Sequence, residues 1–308
     1  MPEHIPKMNG LSSDTVYLKS INPFHRILIL AELIKYKLSL AISFSAATGY
    51  FLYRNNLDRG FFLMVAGVFL LASGSVALNQ VTEMDVDSVM ERTRSRPVPS
   101  GKISPGSAII ISLVLLFSGC SLLLSPGILS CVLGVICVVL YNVVYTPLKR
   151  ITSLAILPGA VVGAIPPLIG FVSAGGTVFS TVIIAFSTIM FMWQLPHFWL
   201  LLLRYRDQYE KAGFKTISAF MNEKQIKYLT CFWVLLSSVL LILFVLVVNE
   251  TIDSLANSII IFSFVFIIFF YRLILLERDV RDTWTAFILL NSYGLVIMSV
   301  LIADSLLK

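Results

Sequence analysis

Long apolar runs set the fold of this chain before any single residue does. They lie near residues 36–53, 61–80, 107–124, 127–145, 153–172, 178–202, 226–248, 255–274 and 283–304, with short charged breaks between them. A helix needs roughly 20 mostly apolar residues to cross a bilayer, whereas a barrel strand needs about ten in strict alternation. The runs are too long and too continuous for strands. The chain is therefore expected to be an all-α polytopic membrane protein with nine transmembrane helices. Of its 308 residues, 57% are hydrophobic and 13% charged; soluble domains hold about 25% charged residues. Residues 1–35 read as an N-terminal segment whose stretch His25 to Lys37, mixed apolar and basic, suits an interfacial helix. Residues 36–308 read as one membrane domain.

The net charge of +6 does not indicate nucleic acid, because the cations are confined to the breaks. Lys7, Lys19, Arg26, Lys35 and Lys37 lie before the first run or at its very start. Arg92, Arg94, Arg96 and Lys102 follow the second, and Lys149 and Arg150 the fourth. Arg204, Arg206, Lys211, Lys215 and Lys224 follow the sixth; Arg272, Arg278 and Arg281 follow the eighth. The alternate breaks hold only Arg54 and Arg59. Basic loops stay in the cytoplasm, so the N-terminus is expected there and the C-terminus outside. The polar N-terminal stretch reads as neither a secretory signal nor a transit peptide. Cys120, Cys131, Cys137 and Cys231 lie in apolar runs without metal-type spacing and read as small buried hydrophobes.

Acids do little for topology, yet the break after the second run, NQVTEMDVDSVMERTRSRPVPSG, begins with several. Asn79, Glu83 and Asp87 are spaced i, i+4, i+8, which places them on one face of a helix, with Asp85 pointing elsewhere. Two carboxylates and an amide offer hard oxygen ligands of the kind Mg²⁺ takes, an ion that keeps waters and shares substrate phosphate. Arg92, Arg94 and Arg96 follow and can clamp phosphate oxygens. The alternative is a solvated loop whose acids pair with its arginines. Polar residues at the inner end of a span are costly and favour the functional reading.

Two further polar clusters fall in breaks on the same side. YNVVYTPLKRITS carries Tyr145 one turn before Lys149, then Arg150; an interfacial Tyr/Lys anchor is the alternative. The next run holds Gly159 and Gly163 at GxxxG spacing and Pro166-Pro167, expected to break the span and free backbone groups for a cavity. WQLPHFWLLLLRYRDQYEKAG carries His197 among Trp193, Phe198 and Trp199, with Asp207 and Glu210 in the loop expected beyond. A hydrogen-bonded core histidine and an ordinary charged loop are the alternatives. Together the clusters describe one cavity opening to the cytoplasm, with carboxylates and cations over an apolar interior. That combination suits metal-assisted release of diphosphate from a lipid.

At these residues the chain resembles a known family. N-x-x-x-[DE]-x-x-x-D at the end of the second run is similar to the UbiA superfamily of intramembrane prenyltransferases. DVDSVMERTRSRPVPSG, YTPLKRITS, GAIPPLIG and LPHFWLLLLRYRDQYEKAG resemble, within it, the protohaem IX farnesyltransferases. The likeness covers about Glu32 to Ile217; the last three runs match in hydropathy and number. It implies nine helices around a central cavity in a bacterial cytoplasmic membrane, with Mg²⁺ as cofactor. It implies farnesyl diphosphate and haem B as substrates, haem O as product, and haem A synthase as an onward partner. Asn79, Glu83 and Asp87 would hold Mg²⁺ and diphosphate, and Arg92, Arg94 and Arg96 would bind phosphate. Tyr145, Lys149 and Arg150 would stabilise the leaving diphosphate or bind haem propionates. His197, Asp207 and Glu210 would contribute to substrate binding. The chain departs from the pattern in Glu83, where Asp is usual. It also has fewer acids after the sixth run, and Lys35-Tyr36-Lys37 in place of Lys-Pro. A prenyltransferase for an aromatic quinone precursor and a polytopic transporter are the competing readings.

Overall fold

The computed structural model describes residues 22–248, 254–276 and 280–307. Lys7, Lys19, the break at 249–253, Arg278 and the side chain of Arg281 lie outside what is described. Within it the chain is helical: α1 (Pro23–Leu33), α2 (Tyr36–Phe51), α3 (Arg59–Thr82), α4 (Met84–Val89), α5 (Pro105–Leu124), α6 (Ile128–Val139), α7 (Ile156–Ser173), α8 (Thr181–Lys211), α9 (Glu223–Val248), α10 (Ser254–Tyr271) and α11 (Val280–Leu307). Caps mark several starts. The Asn22 side chain accepts from Phe24 N, Asp58 from Phe61 N and Ser104 from Ser107 N, each answering an amide the helix leaves unpaired. The outer surface is apolar, with Phe117, Val247, Ile268 and Phe62 all more than half exposed. Inside, by contrast, lie small polar groups such as Ser39, Ser43, Thr48, Ser73 and Ser112. That inversion suits lipid as solvent, where helices associate through small residues and internal hydrogen bonds.

Eight helices among the described residues are long and apolar enough to cross a membrane, where the sequence led us to expect nine. The difference lies at the first run. Helix α2 has 16 residues, about 24 Å at 1.5 Å per residue, because the chain turns a corner at Lys35. Helix α2 nonetheless packs on α3, α7 and α11. A Cβ on Gly49 would overlap the Pro167 carbonyl, and one on Gly170 the Ala46 carbonyl, so α2 and α7 meet backbone to backbone.

Three local expectations are corrected. Pro166 and Pro167 do not break their span: α7 runs through both. Pro166 lacks the N–H that Val162 O would receive, and the Cys137 thiol, 3.6 Å away, takes its place. Helix α8 does not end near 202 but continues to Lys211 past a kink at Tyr205 (φ −121°, ψ 24°). Arg204, Arg206, Asp207 and Glu210 are therefore helical, and Arg206 bonds Glu210 one turn on at 2.8 Å. Finally, Asn79 and Asp87 sit on two helices with Glu83 between them. Glu83 N still donates to Asn79 O and Asp87 N to Glu83 O, so the four-residue register passes through the break.

One end of the bundle is fastened by Asp58, which accepts from Tyr50 Oη at 2.7 Å and Arg54 at 2.7 Å, and by Ser305 Oγ donating to Phe51 O. The other end gathers the polar breaks. Arg92 reaches α8, Arg150 reaches Asp85, and Lys215 N donates to Lys149 O.

Candidate functional site

Asn79, Glu83 and Asp87 are each at most 4% exposed, so their charges and dipoles must be answered within the protein. The answers come from the other breaks. Lys149 Nζ lies 2.7 Å from Glu83 Oε1 and 2.9 Å from Oε2, aligned for a hydrogen bond only with the latter. Arg96 Nη1 donates to Asp87 Oδ2 at 2.6 Å, and Thr93 Oγ1 donates to the Asp87 carbonyl. Asn79 Nδ2 donates to Glu83 Oε2 and Thr146 Oγ1, while its Oδ1 accepts from Tyr141 Oη. Burial pulls the Lys149 ammonium below its usual value, and Glu83 opposes that pull.

Lys149 is delivered by an irregular segment. After α6 the chain forms a π-helix over Leu140–Tyr145, then a turn of α-helix, Thr146–Leu148. The wider ring lets Thr146 Oγ1 donate to Tyr141 O, five residues back. Such bulges are rare and recur at functional sites. This one aims Tyr141, Thr146 and Lys149 at the α3–α4 junction. Tyr141 and Tyr145 stack with centroids 5.7 Å apart; Phe198 lies 6.1 Å beyond Tyr145, and Lys149 Nζ stands 4.9 Å over the Tyr145 ring. Gly159 faces that ring and has no room for a Cβ. Gly163 packs on Gln194. A cavity bounded by Tyr145, Lys149, Phe198, Trp199, Tyr209 and Lys215 shares Lys149 with the acid cluster.

Not every candidate joins this cluster. Arg92 sits at its edge, over the Tyr205 and Tyr209 rings, with its amide on Gln208. Arg94 is exposed. Arg150 makes a two-point pair with exposed Asp85, both bonds 2.9 Å. Glu210 is exposed and holds Arg206 and Ser218, and Asp207 is exposed. His197 lies deeper, against Trp193, Phe198 and Phe287, with Nδ1 3.1 Å from Asn291 Oδ1. Sequence reasoning missed Tyr141, Thr146, Thr93 and Asn291. Tyr141 carried a signal, standing one turn before Tyr145.

The donor set fits Mg²⁺. Glu83 Oε1 is buried with the Lys149 ammonium 2.7 Å away as its counter-charge, and Asn79 and Asp87 stand one helical turn to either side of Glu83. Among the described residues no group of three or more His, Cys, Asp and Glu converges. The chain thus offers two carboxylates and an amide, leaving water or substrate oxygens to complete the shell.

A family model for the UbiA prenyltransferase family matches residues 40–293. Curated relatives called protoheme IX farnesyltransferase include one from Geobacter sulfurreducens, 43% identical over 177 residues, covering 58% of this chain and 66% of that protein. Another, from Bdellovibrio bacteriovorus, is 38% identical over 194 residues, covering 61% and 66%. The matched region thus spans just under two thirds of these relatives' length. Among solved structures, one described as digeranylgeranylglyceryl phosphate synthase superposes with TM-score 0.73 at 19% identity, over 92% of this chain and 100% of that one. A UbiA homologue from Archaeoglobus fulgidus bound to GPP and Mg²⁺ gives 0.64 at 15%, over 88% and 99%. At these identities the likeness is one of fold.

Proposed function

The chain belongs to the UbiA prenyltransferase family, and on that premise we propose that it transfers a farnesyl group from farnesyl diphosphate to a vinyl group of haem B. Water adds in the same sequence, giving haem O and diphosphate. The observation that carries the diphosphate half is the buried Asn79–Glu83–Asp87 set answered by Lys149 and Arg96. The haem half is supported by what the bacterial relatives are called.

The allylic C–O bond breaks and its electron pair leaves on diphosphate. The vinyl π electrons then form the new C–C bond, water attacks the resulting cation, and a proton departs. Mg²⁺ held by Asn79, Glu83 and Asp87 would supply positive charge to the diphosphate oxygens. Arg96 and Lys149 stand ready to meet the negative charge that builds on the leaving group, fixed by their carboxylates and so needing little reorganisation. The stacked Tyr141 and Tyr145 rings, with Phe198 tilted beyond them, present π faces, which favour a nearby carbocation. The rings of Tyr145, Trp199 and Tyr209 beside the Lys149 and Lys215 ammonium groups offer apolar faces and cations to an acceptor bearing carboxylates.

The protein is a multi-pass membrane protein. We place it in the bacterial cytoplasmic membrane with the site end and N-terminus in the cytoplasm and the C-terminus outside, since the cations collect at the site end. Helix α1 exposes Phe24, Ile27 and Leu28 while burying Ile29 and Leu33, which suits an interfacial position. Haem A synthase is the enzyme that would take the product onward.

The test is turnover in detergent or membranes with haem B and farnesyl diphosphate, products read by mass. A haem product heavier by a farnesyl group plus water supports the proposal. Prenylation of an aromatic acid instead would overturn the haem half and keep the fold's chemistry. No prenyl transfer by folded protein would favour a transporter.

A further inference from the structure

Lys35 has a backbone conformation that its side chain does not favour. Its φ of 45° and ψ of 54° place it in the left-handed region, and it is the one residue other than glycine with positive φ among those described. Glycine adopts this region freely; a residue with a Cβ does so at a cost. The corner itself is well supported. Buried Gln80 donates through Nε2 to Leu33 O at 2.8 Å, and buried Ser39 donates through Oγ to Ile34 O at 2.9 Å. The fold thus fixes a sharp turn between α1 and α2 with side chains from two helices, then places a lysine where glycine would serve the backbone better. Strain kept at one position points to a role for the side chain.

The charge count says what that role is. Lys35 is half-buried and lies within electrostatic reach of Asp87, Glu83, Arg96 and Lys149. Each carboxylate already has its cation, Glu83 with Lys149 and Asp87 with Arg96. Lys35 takes part in no ion pair among the described residues. Arg150, which also acts on both carboxylates, is paired with Asp85, so Lys35 is the surplus charge near the cluster, and it is half-buried. Burial draws the Lys35 ammonium down to about 7, with Arg96 adding to the pull and Asp87 opposing it. An anion entering the cluster would relieve this excess.

We propose that Lys35 is a further binding residue for the diphosphate group, contributed by the α1–α2 corner independently of Arg96 and Lys149. The proposal rests on the diphosphate half of the function given above.

Glycine at the same position separates the two roles, because Lys35→Gly removes the charge and relaxes the backbone. The experiment compares wild type, Lys35→Gly, Lys35→Met and Lys35→Arg in detergent. It reads the affinity for inorganic diphosphate with Mg²⁺ by calorimetry and the midpoint of thermal unfolding. Lys35→Gly is expected to unfold at an unchanged or higher temperature yet bind diphosphate about 10–100-fold more weakly, the loss of one charge-assisted contact. Lys35→Met should match it in binding, and Lys35→Arg should recover part of the affinity. Wild-type affinity in Lys35→Gly would overturn the inference and leave the diphosphate site standing. No diphosphate binding by folded wild type would overturn the site reading and the inference with it.

Discussion

Replacing Lys149 with methionine tests whether the Glu83–Lys149 pair both holds the site together and serves its chemistry. Glu83 is 5% exposed at its side chain and Lys149 20%. With the ammonium gone, Glu83 keeps one hydrogen bond, from Asn79 Nδ2. Removing one partner of a fully buried pair costs about 3–5 kcal/mol. Water reaches Lys149, so the expected loss here is about 2–3 kcal/mol. That corresponds to a fall of roughly 3–5 °C in the unfolding midpoint of a chain this long. Glu83→Gln alone should cost less, because the freed ammonium can turn toward water. In the double variant no charge is stranded, so about 2 kcal/mol of the summed loss should return. Turnover should not return with it: each variant, including the double, is expected to lose about 10²–10³-fold, as when a group facing developing negative charge is removed. Thermal unfolding of the four proteins in detergent and product formation under identical conditions make the assay. Equal destabilisation by Lys149→Met in the wild type and in the Glu83→Gln variant would refute the coupling. Full activity in the double variant would refute the catalytic role.

Asp87→Asn should fold and insert, since Thr93 still holds the backbone carbonyl at that position, yet lose at least about 10²-fold in turnover; full activity in the same product assay would remove Asp87 from the mechanism. At the far end, the Tyr50 hydroxyl, the Phe61 amide and Arg54 hold the Asp58 carboxyl down at about 2. The stabilisation is present above the unfolded value near 4 and is lost as pH falls through 2. With the side chain a third exposed, it amounts to about 1 kcal/mol, and Asp58→Asn should flatten the unfolding profile between pH 4 and 2. Gly49→Ala drives a methyl into the Pro167 carbonyl and should destabilise by about 1–3 kcal/mol or more, seen as a lowered unfolding midpoint; an unchanged midpoint would mean that α2 and α7 separate freely.

Run length and hydropathy made most helices legible, because lipid demands long apolar segments whatever their neighbours. The convergence of the polar breaks was legible too, since alternation of basic loops puts every second break at one end. What depends on partners was not. The resemblance gave Arg150 to the leaving diphosphate or to haem propionates, and its pairing with Asp85, turned outward on α4, could not be read from spacing. Pro166-Pro167 looked like a break, but neighbouring helices hold α7 straight enough for Cys137 to answer a freed carbonyl. The RYRDQYEK stretch looked like a loop because its charges end the apolar run. Its helix continues on an Arg206–Glu210 bond and on packing under Arg92. The π-helix at Leu140–Tyr145 and the corner at Lys35 are set by tertiary contacts, and hydrophobic periodicity does not report them.

The central claim is that the Asn79–Glu83–Asp87 cluster is where a prenyl diphosphate is held and ionised. The most direct measurement is an experimental structure with Mg²⁺ and an unreactive thiolo analogue of farnesyl diphosphate. The account predicts metal density against Asn79, Glu83 and Asp87, the diphosphate within hydrogen-bond reach of Arg96 and Lys149, and the prenyl chain running past Tyr145. A diphosphate bound elsewhere, with the acids still closed on their cations and no metal between them, would contradict it.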